Sequence, residues 1–193
     1  ACCVNGHRRS RIGVDDVVVI LGSGPIGMLH LQLALLAGAR TVIVSEPSEA
    51  RRRFAADLGA HVTVDPTREE LEEVVLQATD GFGADSVIVC IGIPELVNDA
   101  LRLARPGGRV NVFAGLAGRG LSEVEANLIH YNELEVTGSS NSRRVDFESA
   151  LRLIESGRVR VDGMVTHRFP LAEAKEAIEK SASGEGIKVA VVP

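Results

Sequence analysis

Residues 17–28, VVVILGSGPIGM, run a short apolar stretch into Gly22-x-Gly24-x-x-Gly27. After a strand and at the start of a helix, that spacing cradles a dinucleotide pyrophosphate. Gly22 permits the tight turn, Gly24 lets backbone approach the phosphates, and Gly27 allows close packing of helix on strand. Ser23, Pro25 and Ile26 complete the loop, whose free N–H groups at the helix start attract anions. The same six residues would also serve as a strand-to-helix turn with no ligand. A second group decides for the ligand. Glu46 ends the run TVIVS, at about the 20-residue distance where a carboxylate reaches the adenosine ribose. Its charge repels a 2′-phosphate, so NAD is the expected cofactor. Arg51, in the same neighbourhood, pulls the other way, because a guanidinium there can accommodate phosphate.

These groups need a sheet to hold them. Short β-branched runs alternate with helical stretches along the chain, the pattern of βα units. The expected strands are Val17–Leu21, Thr41–Ser45, Val62–Val64, Asp85–Ile91, Arg109–Ala114 and Glu133–Gly138. The intervening helices are Ile26–Ala37 (opened by Pro25), Ser48–Leu58, an acidic-start helix capped by Thr67, and Pro94–Ala104. Beyond them come helix Val145–Ser156, an extended piece at Val165–Phe169, helix Leu171–Ala182 and a closing strand at Ile187–Val192. Helical crossovers between successive strands imply parallel pairing, hence an α/β doubly wound parallel six-stranded sheet. The Gly115–Gly120 loop is glycine-rich enough to move.

Composition narrows the function classes. With 193 residues, 45% apolar and 24% charged, the chain is an ordinary globular length and balance. Five Phe, one Tyr and no Trp leave the core to Val, Leu, Ile and Ala, as suits a sheet covered on both faces. Net charge is −5, and the one basic cluster, His7 to Arg11, reads as a solvated helix end, so nucleic acid is not an expected partner. No run approaches the roughly 18 apolar residues of a membrane span. Cys2, Cys3 and Cys90 form no CxxC pair and read as buried, reduced thiols of a cytoplasmic protein. The opening Ala1-Cys-Cys, with no initiator methionine and already helical in pattern, is read as a fragment, a processed product or a trimmed piece rather than a whole gene product.

Several stretches together resemble the medium-chain zinc-dependent alcohol and polyol dehydrogenases, the group that includes sorbitol and threonine dehydrogenases. They are VVVILGSGPIGMLHLQLALLAGA, VIVSEPSEARRRFAADLGA, LARPGGRVNVFAGL, MVTHRFPLAEAKEAIE and the final GIKVAVVP. The resemblance covers essentially the whole chain. It implies a Rossmann domain over residues 1–160. It also implies a segment, 161–193, that returns toward an N-terminal catalytic domain absent here. By motif, Ile26 meets the pyrophosphate, and Glu46 and Arg51 meet the adenosine ribose and its surroundings. Phe113, Ala114 and Gly115 line the nicotinamide through backbone groups, and Ser139 and Ser140 approach the same end. Cys90, Ile91 and Gly92 fall at the carboxyl edge of the sheet, where such folds bind ligands. Cys90 and Phe113 have an equal reading as packing residues. The resemblance also implies a homo-oligomer joined along the edge strand Glu133–Gly138.

The departures from the family pattern matter as much. The GHE-type zinc motif is missing, since Gly6-His7 is followed by Arg8, and no run of closely spaced cysteines occurs. His30, His61, His130 and His167 are dispersed, with His30 expected as a satisfied core residue. No catalytic residue and no metal ligand is therefore assigned. The expected function is the cofactor-binding portion of an NAD-dependent, zinc-dependent alcohol or polyol dehydrogenase that moves a hydride from a secondary alcohol to NAD. Zinc is expected only in the missing N-terminal domain, so this chain is expected to bind NAD without turnover on its own. The alternatives are a stand-alone dinucleotide-binding regulatory module, or a zinc-free NADP-linked quinone or enoyl reductase, which Glu46 disfavours.

Overall fold

The computed structural model describes residues 1–118 and 123–193 of the chain. Arg119 and Gly120, which end the glycine-rich loop expected to move, lie outside the described residues. Helix α1 (Cys2–Ser10) precedes strand β1 (Val17–Leu21), and βα units follow. They are α2 (Pro25–Ala37), β2 (Thr41–Ser45), α3 (Glu49–Asp57), β3 (Val62–Val64), α4 (Leu71–Ala78), β4 (Ala84–Val89), α5 (Leu96–Leu103), β5 (Ala104–Val112), α6 (Ala126–Tyr131), β6 (Glu135–Gly138) and α7 (Arg144–Glu155). The strands form one parallel six-stranded sheet in the order β3-β2-β1-β4-β5-β6. The expected doubly wound sheet is present.

β1 shows why this sequence makes that sheet. All five of its side chains are buried, and they divide by parity. Val17, Val19 and Leu21 pack in one core with Val75 and Leu101, while Val18 and Ile20 pack in another with Met28 and Leu31. A strand apolar on both faces is stable only between two helical layers. α2 is apolar nearly all round because it lies between the sheet and α1, and Gly38 ends it in the left-handed conformation at φ 91°.

Several boundaries differ from the sequence expectations. Thr67 caps no helix. Its amide and hydroxyl both donate to Asp65, and the helix starts four residues later, with only Glu72 and Glu73 in its first turn. β5 begins at Ala104 rather than after the Pro106-Gly-Gly108 turn. The register against β4 jumps from Ala104 to Arg109, so the turn is an excursion inside the strand. Cys2 is exposed, unlike Cys3, because only one of two adjacent helical residues can face the core. The C-terminal stretch makes its own two-stranded parallel sheet, β7 (Val165–Pro170) with β8 (Lys188–Val192), spanned by α8 (Ala174–Ala182).

Candidate functional site

Parallel pairing places every strand's carboxyl end on one edge of the sheet. β1 and β4 are neighbours there although they are not consecutive, and the loops leaving them diverge to open a crevice. The glycine loop leaves β1 on one side of it. Gly22 has φ 92°, and a Cβ on Gly27 would lie 2.0 Å from the Gly22 carbonyl oxygen, so both positions require glycine. Gly24 differs. A Cβ there meets nothing within 4 Å, leaving open space in front of the loop. Pro25 opens α2, and the amide of Met28 bonds the Gly24 carbonyl at 3.1 Å. The Ile26 and Gly27 amides precede that bond, in the turn whose N–H groups a helix cannot satisfy itself. Ser23 is 1% exposed, and its hydroxyl has no hydrogen-bond partner among the described residues. A buried orphan hydroxyl beside an open cradle fits a phosphate acceptor.

Glu46 lies beyond β2, is 5% exposed and ties two elements together. Its Oε2 accepts the Ser23 amide at 2.9 Å, and its Oε1 accepts the Ser48 amide at 3.1 Å. Each oxygen keeps a second lone pair for a ribose hydroxyl. A cavity of about 520 Å³ opens beside it, with Gly22, Glu46, Arg51 and Ile91 among its walls. Pro66, Leu71, Ile93 and Leu96 add apolar surface to its lining. Arg51 donates from Nε at 3.2 Å and Nη2 at 2.8 Å to the Gly186 carbonyl, in the turn before β8.

Two residues here escaped the sequence reading. Arg52 Nη1 donates to the carbonyls of Glu46 and Pro47, both at 2.7 Å, and its Nη2 pairs with Asp65 at 3.2 Å. The Thr67 hydroxyl and amide, helped by Arg52, hold the Asp65 carboxyl below the usual range. Asp65 follows β3 as Glu46 follows β2. An acid just past a strand end was the available signal.

The far half of the edge is built from backbone. The Phe113 and Ala114 amides bond the Val89 carbonyl at 3.1 and 2.9 Å, and Ala117 bonds Gly92 at 2.9 Å. A Cβ on Gly92 would lie 2.4 Å from the Gly115 carbonyl oxygen, so these loops touch at backbone distance. Burial pushes the Cys90 thiol well up, keeping it neutral. The Phe113 ring turns back into the core, edge-on to His30 at 4.5 Å between centroids. The structure does not gather Ser139 and Ser140 around the cavity beside Glu46. The Ser139 hydroxyl donates to Asn111 Oδ1 at 3.0 Å, while Asn111 Nδ2 donates to the Gly6 carbonyl and the Ser10 hydroxyl. Asn5 Nδ2 donates to the Ser140 and Asn141 carbonyls. These contacts fasten α1 to the end of β6.

His30 corrects an expectation. It is fully buried, yet neither ring nitrogen has a hydrogen-bond partner among the described residues, so it is not a satisfied core histidine. Burial pushes its pKa down to about 3. The described residues contain no group of three or more His, Cys, Asp or Glu side chains placed to hold a metal ion, so no donor set among them fits zinc. None of the helices described is long and apolar enough to cross a membrane.

Comparison with known proteins agrees with this geometry. Residues 25–156 match the family model described as zinc-binding dehydrogenase. The D-arabitol-phosphate dehydrogenase of Enterococcus avium is 35% identical, the match covering 99% of this chain and 54% of that protein. The sorbitol dehydrogenase of Halalkalibacterium halodurans is 31% identical, covering 100% and 56%. A zinc-binding dehydrogenase of Sinorhizobium meliloti 1021, solved bound to NADP, superposes with a TM-score of 0.91 at 38% identity, covering 100% of this chain and 56% of that one. The chain thus spans about half the length of the curated relatives it matches. With its glycine loop, its parallel sheet and a family match over most of its length, the chain belongs to the zinc-binding dehydrogenase family.

Proposed function

We propose that the chain is the cofactor-holding half of an NAD-dependent dehydrogenase of secondary alcohols or polyols. On this reading residues 1–160 form the cofactor domain, and 161–193 lead toward the other half of the protein. The observation that carries it is the joint of Glu46 with the glycine loop, a buried carboxylate bonded to the Ser23 amide beside an orphan hydroxyl and an open cradle. The dinucleotide, when bound, supplies the hydride acceptor, so that an alcohol losing a hydride and a proton becomes a ketone. The chain's own part is binding and orientation. Ile26 and Gly27 amides and the Ser23 hydroxyl face the pyrophosphate, Glu46 accepts from the ribose, and the walls at Pro66, Leu71, Ile93 and Leu96 enclose the adenine. Cys90–Gly92, Phe113–Gly115 and Ser139–Ser140 lie toward the nicotinamide. We also place self-association at β6, which pairs only with β5 among the described strands. A reducing, cytoplasmic setting fits the three free thiols.

A second reading, NADP in place of NAD, is favoured by Arg51 and Arg52 beside Glu46 and by the NADP bound in the Sinorhizobium structure. Titration of the chain with each cofactor separates the two. The proposal expects NAD to bind at least tenfold more tightly, with Glu46→Gln narrowing the gap. Equal affinities in the native chain, or an unchanged gap in Glu46→Gln, would remove the role given to Glu46.

A further inference from the structure

Arg51 stands between the cavity and the C-terminal sheet. It is one of the cavity's walls, whereas Gly186, which it grips, is not. The guanidinium has five N–H donors in two forks. Nε and Nη2 are engaged by the Gly186 carbonyl, and one N–H of Nη1 with the second N–H of Nη2 forms the other fork.

The carbonyl that holds Arg51 is itself fixed. The next amide, Ile187, donates to Thr166 Oγ1 at 3.1 Å. Gly186 has φ 126°, and a Cβ on it would lie 2.7 Å from Thr166 Oγ1 and 2.8 Å from His167 Nδ1. Lys180 pairs with Glu185 just before it. The turn is therefore anchored from β7 and α8 at once, and a guanidinium bonded to it by two donors has little rotational freedom.

Resting on the cofactor reading above, we propose that Arg51 is a bridging residue. Its inner fork is held by the Gly186 carbonyl while its outer fork is presented to the adenosine end of the dinucleotide. The Gly184–Gly186 turn thereby becomes a positioning element of the cofactor site, although it lies far along the chain and outside the cavity wall. Ordering the arginine in advance removes the entropy that a free side chain would lose on binding. Lysine carries the same charge but has no fork, so it cannot hold the carbonyl and the ligand in that geometry.

The test is calorimetric titration of the full chain with NAD, for the native sequence, Arg51→Ala and Arg51→Lys, together with hydrogen exchange of the Gly186, Ile187 and Lys188 amides. Both variants should bind NAD about tenfold more weakly. NAD should slow exchange at the three amides in the native chain and not in Arg51→Lys. Native-like affinity in Arg51→Lys would show that charge alone suffices and would overturn the bridge. Exchange unaffected by NAD that demonstrably binds the native chain would overturn it as well. Failure of the cofactor reading itself is distinct, because the native chain would then show no NAD heat at all.

Discussion

A methyl group on Gly27 would sit 2.0 Å from the Gly22 carbonyl oxygen, a distance no relaxation of one side chain can relieve. Gly27→Ala is expected to destabilise the fold by about 3 kcal/mol, through forced separation of β1 and α2. Chemical denaturation measures this directly. His30 gives the second prediction at this scale. Its folded pKa, about 3, lies below the ordinary histidine value of 6.5, so below pH 6.5 the unfolded chain takes up a proton that the folded one refuses. The stability is present above pH 6.5 and is lost as pH falls toward 3. Between pH 7.5 and pH 5 the loss from this one group is about 2 kcal/mol, and His7, also lowered by burial, acts in the same direction. Denaturation midpoints at the two pH values, for the native chain and His30→Leu, check it. The variant should lose most of the dependence. The difference between these residues explains what the sequence could disclose. Glu46 was legible because the end of a strand fixes where a side chain goes. The missing partners of His30 depend on Phe113 and Gly6, which come from other elements.

Asp146 joins two elements that are distant in sequence. It is wholly buried at the start of α7, where it accepts the Arg143 amide at 2.9 Å and pairs with Arg143 and, from α1, Arg8 at 2.5 Å. Those donors hold its carboxyl below the usual range. Arg8 and Arg143 remain partly exposed, so the pairs are screened on their outer side. Asp146→Ala should cost about 1–3 kcal/mol, chiefly through the stranded amide and the loosened α1–α7 contact. Hydrogen exchange should locate the loosening in α1. The strands were readable from their Val and Ile runs, since continuous apolar stretches of that length suit a sheet buried on both faces. The start of α4 and the beginning of β5 were not. Thr67 prefers the Asp65 carboxylate to a capping role, and the Pro106-Gly-Gly108 turn signal is genuine but falls inside a strand.

For the whole molecule, the order β3-β2-β1-β4-β5-β6 does the decisive work. It brings the glycine loop, Glu46 and Ile91 to one edge from widely separated positions. The C-terminal sheet reaches the same region through Arg51, a contact between distant segments that no local pattern announces. The pairing of β7 with β8 was equally hidden, because two short runs flanking a helix do not declare which sheet they join. The proposed function stands on this edge binding a dinucleotide through the cradle at Gly24. Gly24 has φ −64°, open to any residue, and a side chain there would enter empty space, so Gly24→Val should fold as the native chain does. The decisive measurement is therefore calorimetric titration with NAD of the native chain and of Gly24→Val, with melting temperatures recorded for both. Saturable binding to one site is expected in the native chain, and affinity at least tenfold weaker in the variant at an unchanged melting temperature. No binding to the native chain, or equal binding to both, would contradict it.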